Sequence, residues 1–122
     1  MTDKRKALGN RGESLAAQRP QSLGYSIRER NWRCPVGEID IVAEKDGVLI
    51  FAEVRTRHGD KFGTPEESIT PHKRAKLLEV AETYLEEHGE EDRSWRIDVV
   101  AIDIGRRNQV VRMEVIEDAI GK

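Results

Sequence analysis

The chain has 122 residues, of which 37% are hydrophobic and 36% charged, with a net charge of −2. This length supports one hydrophobic core, so we expect a single domain over residues 1–122. No run of 18 apolar residues occurs and the first residues lack the apolar segment of a signal peptide, which predicts a cytoplasmic protein without a membrane-spanning helix. Cys34 is the only cysteine, which excludes an internal disulfide.

The predicted elements follow in chain order. Residues 7–23 have helical periodicity, interrupted by Pro20, and residues 25–32 alternate as a strand does. Asp46-Gly47 between two apolar runs predicts a β-hairpin, and residues 59–68 are loop-like. Thr70-Pro71 begins a second helix that ends at Gly89, and two strands follow at 94–104 and 108–116. The order α-β-β-β-α-β-β predicts an α/β sandwich with a mixed five-stranded sheet flanked by helices.

The hairpin has a readable register. If Asp46 and Gly47 are the central residues of a type I′ turn, Asp40 lies opposite Glu53 and Glu38 lies opposite Arg55. Two unit charges ~5 Å apart repel by roughly 3 kcal/mol at an effective dielectric of about 20. A divalent metal site would explain this repulsion, because Mg²⁺ takes oxygen ligands from one or two carboxylates and offsets their charge.

A cross-strand ladder of salt bridges, in which Arg55 neutralises both acids, is the alternative interpretation. Aspartate is depleted in strands, so Asp40 between apolar neighbours needs a reason beyond solubility. Asp98 is equally unusual in a strand, but nothing in the sequence brings it near the hairpin. We interpret Asp98 as a structural or supporting residue.

The motifs along the chain resemble a known family. Glu13 in the first helix, followed by Gly37-Glu38-Ile39-Asp40 and Phe51-Ala52-Glu53-Val54-Arg55, resembles the PD-(D/E)XK nuclease superfamily, which has a restriction-endonuclease-like fold. More narrowly, the chain is similar to the YraN-like family of predicted endonucleases over nearly its whole length. The further motifs that carry this likeness are Arg11-Gly12-Glu13, Gly24-Tyr25, Arg30-Asn31-Trp32-Arg33, Glu67-Ser68-Ile69-Thr70 with Lys73, and Arg96-Ile97-Asp98-Val99-Val100.

The resemblance implies a restriction-endonuclease-like three-layer sandwich and a Mg²⁺- or Mn²⁺-dependent endonuclease that hydrolyses phosphodiester bonds in DNA, branched and single-stranded DNA included. Asp40 and Glu53 would hold the metal, and Glu13 would be an auxiliary acid. Arg55 occupies the position where the superfamily has lysine. Because arginine is not deprotonated in proteins, Arg55 can orient water or bind phosphate, and the catalytic base must come from elsewhere.

The charged residues predict the partner less firmly than the motifs do. Seven acids lie between residues 79 and 92, and the rest of the chain has 21 basic against 16 acidic residues. A cationic face for nucleic acid and an ordinary mixed surface both fit this distribution. For nucleic-acid binding we favour Arg33, Arg57 and Lys73, the last in the first turn of the second helix.

Two other functions stay open. A nucleic-acid-binding domain that keeps the nuclease fold without turnover is favoured by the arginine at position 55. A partner-binding domain would use the acidic run at 79–92. Cleavage of a duplex or a symmetric junction would favour a homodimer, although no residue in the sequence indicates an interface.

Overall fold

The computed structural model describes Pro20, residues 23–58 and residues 69–120. The strands are β1 (Ser26–Cys34), β2 (Gly37–Lys45), β3 (Val48–His58), β4 (Trp95–Ile104) and β5 (Val110–Ile120), and the helix α1 (Pro71–Glu87) lies between β3 and β4. The strands form one five-stranded sheet in the order β1-β2-β3-β4-β5. β3 and β4 are parallel and the other neighbours are antiparallel, so the predicted mixed sheet is confirmed.

The turn between β2 and β3 forms as predicted. Asp46 and Gly47 both have positive φ, 52° and 79°, as a type I′ turn requires. Lys45 therefore pairs with Val48, and the ladder continues from this pair toward the middle of the sheet. This local geometry determines which residues of β2 and β3 are neighbours.

Helix α1 forms the crossover that parallel strands need. Thr70 caps its N-terminus by accepting a hydrogen bond from the Lys73 N–H at 3.1 Å, and Pro71 occupies the first turn. The helix ends at Glu87 with His88 as its C-cap, and Gly89 follows with a φ of 64°. Because the helix runs back across the sheet, its first turn lies near the carboxyl-terminal half of β3.

The helix packs on one face of the sheet. Its buried residues recur at helical spacing and contact apolar side chains of β2, β3 and β4; the largest members of this cluster are Phe51, Ile39, Leu77, Tyr84 and Ile97. Each such side chain contributes about 1.5–3 kcal/mol on burial. Gly37 permits close packing of the helix, because a Cβ at this position would lie 3.0 Å from Val80 Cγ2.

The opposite face of the sheet is also buried and contains Tyr25, Ile41, Ile50, Val100 and Ile102. The helix predicted for residues 7–23 lies outside the described residues, apart from Pro20 and Leu23. Leu23, the last residue of that predicted helix, instead lies in a turn before β1 and is 41% exposed. Over the described residues, no helix is long and apolar enough to cross a membrane.

Candidate metal and phosphate site

Asp40 lies where β2 and β3 stop pairing. The backbone pairs of this hairpin end at Ile41 with Ala52, and the next β3 N–H that faces β2, that of Val54, donates to Asp40 Oδ2 at 2.8 Å. In a regular ladder a carbonyl of β2 would accept this bond. The ladder therefore ends one pair before the predicted opposition of Asp40 and Glu53, and a carboxylate replaces the backbone acceptor.

The side-chain alternation of β2 also breaks at Asp40. Ile39 packs in the cluster under α1, whereas Ile41 packs in the cluster on the opposite face, although residues two apart in a regular strand share a face. Glu38, predicted to face Arg55, instead pairs with Arg33 of β1, whose Nε lies 3.0 Å from Glu38 Oε2. At this break in the alternation the Asp40 side chain is directed toward β3, where it accepts the Val54 N–H.

Glu53 lies on the helix-covered side of β3 and is 7% exposed. Its Oε1 has two cationic neighbours, Arg55 Nε at 3.4 Å and Lys73 Nζ at 3.8 Å. Neither contact is a hydrogen bond, and Arg55 Nε is a buried donor without a hydrogen-bond partner among the described residues. Strand β3 positions the first cation and the first turn of α1 positions the second.

The environment of Glu53 changes its protonation. Burial raises the pKa of the Glu53 carboxyl above its ordinary value, and the nearby Glu38 charge acts in the same direction. Lys73, Arg55 and a hydrogen-bonding contact with Asp40 oppose this rise without cancelling it. The site therefore holds a carboxylate that is costly to ionise in the absence of a further cation.

Two buried carboxylates from neighbouring strands fit a hard divalent ion. Asp40 is 9% exposed and accepts the N–H of Val54, the residue after Glu53, so both carboxylates can offer oxygen atoms to one ion while water or substrate fills its other positions. Within the described part of the chain, no three His, Cys, Asp or Glu side chains are grouped as metal ligands. Glu13, the predicted auxiliary acid, lies outside the described residues.

The three predicted nucleic-acid contacts occupy different environments. The Arg33 side chain is 77% exposed near the start of β2, and Lys73 reaches Glu53 from α1. Arg57 is only 20% exposed, and its Nε donates to Asp103 Oδ1 at 3.0 Å on the neighbouring strand. The structure thus brings Arg55 and Lys73 to the Glu53 carboxylate and engages Arg57 in a separate ion pair.

Sequence reasoning missed the contact between Lys73 and Glu53. A usable signal was present, because a helix that connects parallel strands begins near the carboxyl end of the first strand. Asp98, by contrast, is structural as expected: it is fully buried and accepts hydrogen bonds from Tyr25 Oη at 3.0 Å and Arg96 Nε at 2.9 Å. Its donors satisfy it without a metal.

The sequence of this chain is similar to those of one family of known proteins. The model of the "Uncharacterised protein family UPF0102" matches residues 12–102. A UPF0102 protein of Roseiflexus castenholzii is 49% identical over 121 residues, which cover 98% of each chain. A UPF0102 protein of Moorella thermoacetica is 47% identical over 119 residues, covering 98% of this chain and 99% of that one. These names state no activity, ligand or partner.

Proposed function

Because the chain belongs to the uncharacterised protein family UPF0102, as its YraN-like motifs predicted, we propose a function from the site itself. The protein is a metal-dependent endonuclease that hydrolyses phosphodiester bonds in DNA, with branched and single-stranded DNA among its candidate substrates. One observation carries this proposal. Two buried carboxylates, Asp40 and Glu53, lie where β2 and β3 stop pairing, and the cations of Arg55 and Lys73 contact Glu53.

Asp40 and Glu53 would hold Mg²⁺ or Mn²⁺. A bound ion of this kind polarises a phosphoryl oxygen and lowers the pKa of a coordinated water. The Val54 N–H donates to the Asp40 carboxylate, so the position of this carboxylate does not depend on a bound ion. The ion would stabilise the charged form of Glu53 in particular. Burial makes this carboxyl costly to ionise, and a cation at its oxygen atoms offsets that cost.

Arg55 would bind the scissile phosphate. A guanidinium is a fixed positive charge with planar hydrogen-bond donors that match phosphate oxygens. Arg55 Nε lacks a hydrogen-bond partner among the described residues and the side chain is 26% exposed, so the guanidinium has capacity for a bond to a phosphate oxygen that reaches it. The charge that develops on the phosphoryl oxygens during hydrolysis would strengthen the contact.

The sheet supports the proposed superfamily. A hairpin that carries the two acids, a parallel β3–β4 pair and a crossover helix on one face fit a PD-(D/E)XK nuclease. The three-layer, restriction-endonuclease-like sandwich additionally needs a helical layer on the opposite face, for which the helix predicted at residues 7–23 is the candidate. Glu13 would come from that layer.

Substrate contacts in this proposal go to the phosphate backbone. Arg33 is exposed at the edge of the site, and Lys73 lies in the first turn of α1, where the helix dipole favours an anion. Arg57 would contribute indirectly, since Asp103 already engages it. Phosphate contacts provide affinity with little sequence specificity, so we propose recognition of DNA structure rather than of a base sequence.

A nucleic-acid-binding domain without turnover is the second candidate. The contacts of Arg55 and Lys73 with Glu53 Oε1 favour it, because two cations can neutralise that carboxylate without a metal. In this case the protein would bind DNA with the salt dependence of phosphate contacts and would cleave nothing.

Cleavage assays separate the two candidates. We would incubate the wild-type protein with end-labelled duplex, single-stranded, flap and four-way-junction DNA, and with RNA, in Mg²⁺, Mn²⁺ or chelator. Asp40→Asn and Glu53→Gln test the site, and Glu44→Gln is the matched control, because it removes an acid from the same strand outside the site. Metal-dependent cleavage by the wild type and Glu44→Gln alone supports the endonuclease. Binding without cleavage in every metal supports the second candidate, and equal cleavage by Asp40→Asn would refute the site.

A further inference from the structure

Lys73 and Arg55 contact the same oxygen of Glu53 but are held differently. Arg55 is two residues from Glu53 on the same strand, its side chain is 26% exposed, and its Nε is buried. The Lys73 side chain is 40% exposed and extends from α1 over the edge of the site. A lysine ammonium on a flexible four-carbon stem can change its partner at lower cost than a packed guanidinium.

The backbone of Lys73, unlike its ammonium, is firmly placed. Its N–H donates to Thr70 Oγ1 at 3.1 Å, and the next residue, Arg74, donates its N–H to the Thr70 carbonyl at 2.9 Å. The helix cap therefore fixes the point from which the Lys73 side chain extends, and 40% of that side chain is exposed. At 3.8 Å the ammonium contacts Glu53 Oε1 by charge alone, without a hydrogen bond.

We propose that Lys73 is an exchangeable counter-cation: it neutralises Glu53 in the metal-free protein and transfers to a phosphate oxygen of DNA when a divalent ion binds Glu53. This inference rests on the proposed function. The physical reason is that two cations compete for one carboxylate oxygen, so the ammonium leaves as the ion arrives. Once released, the ammonium would lie beside Arg55, the residue proposed to bind the scissile phosphate, because both cations contact the same oxygen of Glu53. Ion and DNA would then favour each other's binding.

The first test is the Mn²⁺ affinity of the DNA-free protein, measured by calorimetry. Lys73→Met removes the competing cation, and we expect it to bind Mn²⁺ about two- to fivefold more tightly than the wild type, the range for displacing one exposed ion pair. Lys73→Arg retains the charge and is expected to bind no more tightly than the wild type. Arg74→Met removes a positive charge from the same helical turn without a contact to Glu53, and should leave the affinity unchanged.

The second test measures DNA binding with and without Mn²⁺, using a phosphorothioate duplex that keeps the backbone charge and whose integrity is verified on a denaturing gel after each titration. With Mn²⁺, Lys73→Met should lose one phosphate contact, which makes the slope of log K against log salt shallower by about 0.9. In chelator its slope should equal that of the wild type, because the wild-type Lys73 ammonium is then paired with Glu53 and does not contact DNA. For Arg74→Met, any change in slope should be the same in both conditions.

The outcomes distinguish this inference from the proposed function. A wild-type protein that binds no Mn²⁺ overturns both. If the wild type binds Mn²⁺ but Lys73→Met binds it equally or more weakly, the counter-cation role is wrong and the metal site stands. The counter-cation role is equally wrong if Lys73→Met changes the salt slope by the same amount in Mn²⁺ and in chelator. Urea unfolding of each variant verifies that the compared proteins are folded.

Discussion

We expect the matched substitutions Asp98→Asn and Glu53→Gln to have very different effects on the free energy of unfolding, although both acids are buried in neighbouring strands. Asp98 accepts hydrogen bonds from Tyr25 Oη at 3.0 Å, from Arg96 Nε at 2.9 Å and from the Asp118 N–H at 2.9 Å. An amide removes the charge that these donors share and places its own NH₂ group among them. Hydrogen bonds to charged groups contribute about 1.5–3 kcal/mol each, so the loss is expected to be about 3 kcal/mol.

Glu53→Gln should cost little in chelator. The carboxylate has no hydrogen-bonded cation: Arg55 Nε lies at 3.4 Å without hydrogen-bond geometry, and Lys73 Nζ lies at 3.8 Å and is partly solvated. Removing the charge loses two weak ion pairs, but it also removes the cost of burying a charged carboxylate, the same cost that raises the pKa of Glu53. The change in free energy should therefore stay within about 1 kcal/mol of zero, as is common for residues placed for function rather than stability.

Urea unfolding in chelator, followed by circular dichroism and tryptophan fluorescence, measures both effects. With an m value of about 1.5 kcal/mol/M, a loss of 3 kcal/mol lowers the midpoint for Asp98→Asn by about 2 M. The midpoint for Glu53→Gln should move by less than about 0.7 M, in either direction. A Glu53→Gln midpoint as low as that of Asp98→Asn would show that Glu53 is a structural ion-pair anchor, and would refute the interpretation of its environment.

Three further predictions concern pH, metal and packing. Because burial raises the pKa of Glu53 above its ordinary value of 4.5, the folded protein keeps the Glu53 carboxyl protonated to a higher pH than the unfolded chain does. In chelator, the unfolding free energy of the wild type should therefore fall relative to that of Glu53→Gln as the pH rises from about 4.5 through the pKa of Glu53 in the folded state. A difference between the two unfolding free energies that does not change with pH would contradict this prediction. Mn²⁺ at 100 times its Kd should stabilise the wild type by about 2.7 kcal/mol in thermal unfolding and leave Asp40→Asn unchanged, whereas equal stabilisation would place the ion elsewhere. Gly37→Ala, whose Cβ would lie 3.0 Å from Val80 Cγ2, should cost roughly 1–3 kcal/mol, and its cost in a Val80→Ala background should be smaller; additive costs would argue against this contact.

The elements that depend on local geometry were predictable. Asp46 and Gly47 adopt positive φ because the two-residue turn demands it, and the register near the turn follows from that alone. Thr70 caps α1 because its hydroxyl can accept a backbone N–H three residues on. Each of these features is decided within a few residues of the chain.

The parts that depend on tertiary context were not. The Asp40 carboxylate competes with a backbone carbonyl for the Val54 N–H, and periodicity contains no information on which acceptor wins. Likewise, Arg57 meets Asp103 only because β3 and β4 pair in parallel with a particular register. The sequence therefore predicted which acids are unusual, while their partners followed from how the strands and the crossover helix are assembled.

The most direct test of the central claim is to locate a metal ion in crystals of the wild-type protein soaked in Mn²⁺, by anomalous scattering. The claim that Asp40 and Glu53 form a metal site predicts an anomalous peak at ~2.1 Å from a carboxylate oxygen of each residue. The same peak should be missing from crystals of Asp40→Asn grown under the same conditions. A wild-type map with no peak between these two carboxylates, at Mn²⁺ concentrations that support binding in solution, would contradict the account.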